Sequence, residues 1–138
     1  MVISSESEML KFGKDYAKNL QTPAVIELVG DVGAGKTTFV RGLAEGLKIS
    51  EPVTSPSFTI SKSYAFEKDS AEKTLIHYDF YRLPDPGLMS EDIAESLAAE
   101  NAIVVVEWAD SVGSLLPENR VKIEIKYRED GSREVIEK

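Results

Sequence analysis

Eight residues, Gly30-Asp31-Val32-Gly33-Ala34-Gly35-Lys36-Thr37, fit the spacing G-x-x-x-x-G-K-[ST]. These residue types, so spaced, suit the holding of a polyphosphate. Glycines let the chain turn its N–H groups inward where a Cβ would clash. Those N–H groups, with the positive N-terminal end of a following helix, bind phosphate oxygens. Lys36 would neutralise the β- and γ-phosphates, the Thr37 hydroxyl would ligate Mg²⁺, and Thr38 would reach the α-phosphate. The motif also lies between a short β-branched apolar run and an amphipathic segment, the strand–loop–helix context it requires. Nucleoside triphosphate binding is therefore expected, through Gly33, Ala34, Gly35, Lys36, Thr37 and Thr38. The competing interpretation is a glycine-rich turn with an exposed lysine.

The nucleotide and its chemistry can be narrowed. None of the three asparagines precedes a lysine, so the Asn-Lys-x-Asp guanine signature is absent. The single glutamine, Gln21, lies ahead of the loop and cannot orient an attacking water as in Ras-like proteins. ATP is the better match. Hydrolysis needs an acid for Mg²⁺ and usually one to position water. Glu107 closes the apolar run Ile103–Val106, and Asp79 closes Leu75–Tyr78, so both sit at expected strand ends. Which of them would ligate Mg²⁺ and which would position water stays open, and a surface carboxylate or a purely structural acid is the alternative for each. Strand alternation places Leu75, His77 and Asp79 on one face. His77, the only histidine, reads as structural before catalytic. Thr54-Ser55-Pro56-Ser57-Phe58 occupies the place of a switch-like loop, Arg82 is a candidate for neutralising transition-state charge, and Trp108 reads as a core or interface residue.

The surrounding elements follow from periodicity. Residues 5–20 carry a capping-box spacing, Ser5 to Glu8, and apolar residues at helical intervals. Residues 23–29 read as a buried strand and 36–48 as the helix after the phosphate loop. Residues 58–66 and 74–80 look like two strands joined by the polar connector EKDSAEK, too short for a parallel crossover and hence an antiparallel hairpin. Residues 88–100 read as a helix and 102–106 as a second buried central strand. Val121, Ile123, Ile125 and Tyr127 alternate with charged residues as in a half-exposed strand, and Asp130-Gly131 marks a turn into a last strand near Val135.

Composition limits the function classes. The chain has 138 residues, no cysteine and a formal charge of −8. This length fits one domain spanning 1–138. Without cysteine there is no disulfide framework, thiolate metal site or cysteine nucleophile. The longest apolar run, Ala102–Val106, is far short of the roughly 20 residues that span a bilayer. The N-terminus does not read as a signal peptide, so a cytoplasmic protein is expected. The acidic balance argues against tight direct binding to tRNA or other nucleic acid by the chain alone.

Four blocks, Gly30–Phe39 (GDVGAGKTTF), 54–59 (TSPSFT), 77–83 (HYDFYRL) and Val106–Trp108 (VEW), stand in an order that resembles the TsaE (YjeE) family of bacterial P-loop ATPases. Leu116-Pro117 and Gly131-Ser132-Arg133 extend the likeness over nearly the whole chain. The resemblance implies an α/β P-loop NTPase fold, a mixed and mostly parallel sheet flanked by helices. It implies a Mg²⁺-dependent ATPase required for threonylcarbamoyladenosine formation beside the tRNA anticodon. Its partners would be the sugar-kinase-like subunits of the transferase complex. Asp79 and Glu107 would be the functional acids around Mg²⁺ with Thr37, Arg133 would approach the nucleotide, and the region near Glu6 would border the adenine. Two other functions remain in competition: a small P-loop phosphotransferase, and a nucleotide-gated assembly module without essential turnover.

Overall fold

A computed structural model describes residues 1–31, 33–54, 56, 60–81, 87, 89–109 and 112–138. Seven strands and three α-helices are described: β1 (Val2–Ile3), α1 (Glu6–Ala17), β2 (Ala24–Val29), α2 (Lys36–Gly46), β3 (Ser61–Lys68), β4 (Ala71–Asp79), α3 (Met89–Ala98), β5 (Ala102–Glu107), β6 (Val121–Tyr127) and β7 (Arg133–Glu137). They form one mixed sheet in the order β1-β7-β6-β2-β5-β4-β3. Its middle, β6-β2-β5-β4, is parallel, and both flanks are antiparallel. This is the expected α/β architecture.

Helices cover both faces. On one side α1 and α2 pack over Ile26, Leu28, Leu75, Ile103, Val105, Ile123 and Ile125. On the other, Ile93 of α3 joins Tyr78, Phe80, Val104 and Val106. All six β5 residues are buried, which explains an uninterrupted apolar run where a half-exposed strand would alternate. The Tyr78 hydroxyl donates to Asp92 Oδ2 at 2.7 Å and shares a 2.7 Å hydrogen bond with Ser96 Oγ, tying α3 to the sheet.

Several boundaries depart from expectation. The first helix begins at Glu6 because Ser5 is its cap, the Ser5 hydroxyl accepting from Glu8 N–H at 3.1 Å. The second stops at Gly46, and Lys48 turns to φ 63°. The EKDSAEK connector is not a seven-residue loop. Pairing continues through Glu67↔Glu72 and Lys68↔Ala71, leaving Asp69 and Ser70 as the turn, at φ 55° and 63°. Two central residues of positive φ match the twist of a hairpin; the solvent-facing charges had disguised paired strand as loop. Strand β1 was not anticipated, since two residues carry no periodicity. Residues 58 and 59 and Leu88, assigned to a strand start and a helix start, lie outside the described residues.

Candidate functional site

The phosphate loop joins the C-terminal end of β2, in the parallel middle of the sheet, to α2. Gly33 and Gly35 take φ 82° and 114°, conformations that L side chains rarely adopt. Gly35 is the cap residue of α2 and offers no side chain to the first-turn N–H groups, nor does that turn contain an acid. The contrast with α1 is direct: there Ser5 caps, and Glu6 and Glu8 meet the positive helix end. The α2 terminus is thus left for an external anion.

Lys36, buried at 6% exposure, donates to the Gly30 carbonyl and to the Asp31 carbonyl at 3.4 Å. Its ammonium also lies 4.3 Å from the centroid of the Trp108 ring. Burial pulls the Lys36 pKa below its ordinary value, against the opposing pull of Glu107, Asp79 and Asp31. Trp108 follows Glu107 with φ 55°, an uncommon conformation for a bulky residue, which ends β5 and turns the indole over the lysine. Tyr81 packs on the same indole, centroids 4.8 Å apart.

Asp79 and Glu107 are register partners on the last rung of the β4–β5 ladder. They occupy the sheet face covered by α1 and α2, as do His77 and Val105 one alternation earlier. Both acids are buried. Tyr81 N–H donates to Asp79 Oδ1 at 2.9 Å. Burial raises the Asp79 pKa and adjacent Glu107 adds to the rise, while the Tyr81 N–H, His77 and Lys36 oppose it. The His77 Nε2 bonds Glu107 Oε2.

On the opposite side of the loop a cavity of about 380 Å³ is lined by Ser5, Glu6, Met9, Gly33, Thr38, Arg41 and Arg133, among others. That volume falls within the roughly 300–1,000 Å³ typical of ligand sites. Arg41 pairs with Glu6 at 3.4 Å across it. Arg133 Nε donates to the Ala34 carbonyl at 3.2 Å, and its guanidinium stacks 4.0 Å from the Tyr127 centroid.

The TsaE family model, described as threonylcarbamoyl adenosine biosynthesis protein TsaE, matches residues 3–135. The chain belongs to the TsaE family. It is 36% identical over 134 residues to the tRNA threonylcarbamoyladenosine biosynthesis protein TsaE of Treponema pallidum, covering 97% of this chain and 96% of that one. It is 42% identical over 112 residues to the TsaE of Bacillus subtilis, covering 80% of this chain and 66% of that protein. Its fold matches the crystal structure of Bacillus subtilis YdiB with a TM-score of 0.77 at 35% identity, over 98% of this chain and 80% of that one. TsaE membership and the phosphate loop together mark a nucleotide-binding protein.

The structure brings most of the expected site together around this TsaE loop. Gly33, Ala34, Gly35, Lys36, Thr37 and Thr38 form the loop and first helical turn, Asp79 and Glu107 stand side by side, and Arg133 reaches the loop backbone. Glu6 borders the cavity. Ser55, Ser57, Phe58 and Arg82 lie outside the described residues. Trp108 and the His77–Glu107 contact were not anticipated as parts of the site. The usable signal for Trp108 was its place directly after a strand-terminal acid. Among the described residues no helix is long and apolar enough to cross a membrane. Nor, among them, do three or more His, Cys, Asp or Glu gather to hold a metal. Two adjacent carboxylates and a threonine hydroxyl nonetheless fit Mg²⁺, which is typically held by one or two carboxylates plus substrate phosphates.

Proposed function

We propose that this chain is a Mg²⁺-dependent ATPase that serves tRNA threonylcarbamoyladenosine formation by acting on the transferase complex. The observation that carries this reading is the arrangement on either side of the α2 terminus: a cavity toward β7 and α1, and a buried carboxylate pair toward β4 and β5. ATP laid across the loop would place its base and sugar in the cavity, bordered by Glu6 and Arg133, and its γ-phosphate toward Asp79 and Glu107. The loop N–H groups and Lys36 bind the phosphates, and Thr38 contacts the α-phosphate. Mg²⁺ arriving with ATP would be held by Thr37 with Asp79 or Glu107, and would supply positive charge against the charge that develops on the phosphate oxygens. The carboxylate not used in this way positions water. The indole over Lys36 excludes solvent from the loop.

The partners are the sugar-kinase-like subunits of the transferase, reached by protein–protein docking and not through tRNA. Charge supports this division. Lys11 and Lys18 pair with Asp15, Lys126 with Glu124, Arg41 with Glu6 and Arg120 with Glu27. These five pairs, the commitment of Lys36 to the phosphate loop and the −8 balance argue against a basic surface dense enough to hold tRNA. Reconstituted tRNA modification with and without this chain tests the function, and phosphate release without an added acceptor separates hydrolysis from phosphotransfer. Full modification supported by a non-hydrolysable ATP analogue would overturn the need for turnover. Tight tRNA binding by the lone chain at about 0.15 M ionic strength would overturn the docking model.

A further inference from the structure

The two acids of the carboxylate pair are held differently. Asp79 receives a backbone N–H, from Tyr81. Glu107 receives a side chain, the imidazole of His77, fixed two residues before Asp79 on β4 and opposite Val105 of β5. His77 has no exposed surface and Glu107 has 3%. The second ring nitrogen, Nδ1, is buried without a hydrogen-bond partner among the described residues.

A carboxylate only accepts, so Nε2 must carry the proton that bonds Glu107 Oε2. We infer that His77 is a positioning residue: through Nε2–H it anchors one oxygen of Glu107 and leaves Oε1 as the oxygen available to the nucleotide. Both rotation of the Glu107 side chain and its loss to the nearby Lys36 ammonium are thereby opposed. This inference deepens the hydrolysis proposed above and rests on it for its kinetic arm alone.

One histidine in the chain makes the ring directly observable. Nitrogen-15 histidine labelling of the full chain gives a single imidazole, expected to carry a proton on Nε2. Its Nε2 proton should be protected from solvent exchange, and Glu107→Ala should remove that protection. A ring with no proton on Nε2, or unchanged protection in the variant, would overturn the inference. The kinetic arm compares His77→Leu with His77→Gln, whose amide N–H can replace Nε2–H. In the Leu variant kcat should fall about 10–100-fold, the usual loss when the partner of a site ligand is removed. Its KM for ATP and its nucleotide affinity should stay near wild type, because the loop is intact. The Gln variant should recover turnover relative to Leu. A folded His77→Leu chain with undiminished kcat, or Gln and Leu variants equally impaired, refutes the positioning role. A wild-type chain without ATP turnover would instead defeat the proposed hydrolysis, and the imidazole measurement would still decide the Nε2–H bond to Glu107.

Discussion

Replacing Gly13 by Ala should destabilise the protein even though Ala is the better helix former. A Cβ at Gly13 would lie 2.4 Å from the Phe39 carbonyl oxygen, 2.9 Å from Leu43 N and 3.0 Å from Gly42 Cα. These are backbone atoms of α2, so no rotamer change relieves the contact. Ordinary contact begins near 3.4 Å, so α1 must retreat by about 1 Å. Overpacking of this kind costs roughly 1–3 kcal/mol. The rigid backbone obstacle, and the loosened packing of Phe12, Tyr16 and Phe39, place this case at the upper end. Helix propensity returns about 1 kcal/mol, for a net loss of about 2 kcal/mol. At roughly 4 °C per kcal/mol for a chain of this size, Tm should fall by about 8 °C. Nucleotide affinity should weaken too, because the first turn of α1 carries Glu6 and Met9 into the cavity beside the loop. Thermal unfolding and calorimetric ATP titration measure both effects. Gly113→Ala is the control, since an added Cβ there meets nothing within 4 Å. A Gly13→Ala chain that melts at or above the wild-type temperature would refute the packing reasoning.

Four further outcomes are expected. Lys36→Ala should weaken ATP binding by about 10–100-fold, the loss of a charged hydrogen-bond donor worth about 1.5–3 kcal/mol, with the fold retained; calorimetry with a circular dichroism control checks it. Glu107→Ala should still bind ATP through the loop and Lys36 but lose most phosphate release, so equilibrium binding and turnover must be measured on the same sample. Tyr78→Phe should cost about 1 kcal/mol in urea unfolding, because the hydroxyl bonds to Asp92 and Ser96 are lost from a buried ring, while ATP affinity is unchanged. Bonds from the Ser132 side chain and N–H hold the Asp130 carboxyl below its ordinary value of 3.8. The folded chain therefore binds fewer protons there than the unfolded one, and this stability, complete above about pH 3.8, disappears as pH falls through the depressed folded value. The melting difference between wild type and Asp130→Asn should accordingly shrink on acidification below that point.

The legible parts of this fold were those whose sequence pattern and environment agree. The run Ala102–Val106 is buried on both faces and reads as central strand. The glycine spacing of residues 30–37 fixes a turn that only positive φ allows at Gly33 and Gly35. Asp79 and Glu107 were visible one at a time, as acids ending apolar runs. Their juxtaposition was expected only through the family resemblance, because strand neighbours are a property of sheet order and not of local pattern. His77 shows the same limit: its partner lies 30 residues away in sequence. Trp108 does pack against the core, as read, but its position over Lys36 depends on a positive φ that a tryptophan does not advertise. The polar connector misled for the opposite reason, its charges facing solvent from paired strands.

The β4–β5 pairing has a consequence for when the site comes into being. The β3–β4 hairpin closes through Asp69-Ser70 and is local, the kind of element that forms in about 1–10 μs. Yet Asp79 alone on that hairpin is not a site. Its partner arrives only when β5 docks in parallel, from Thr74↔Ala102 up to Asp79↔Glu107. The β2 strand that carries the phosphate loop must itself be enclosed between β5 and β6, so residues 24–29 wait for residues 102–107 and 121–127. Such non-local closures are slow because chain entropy is lost before the contacts reward it. A chain still emerging in synthesis, or arrested at the hairpin, carries the loop sequence and one acid but not the assembled pair. Assembly of the carboxylate pair beside the phosphate loop is thus coupled to completion of the sheet.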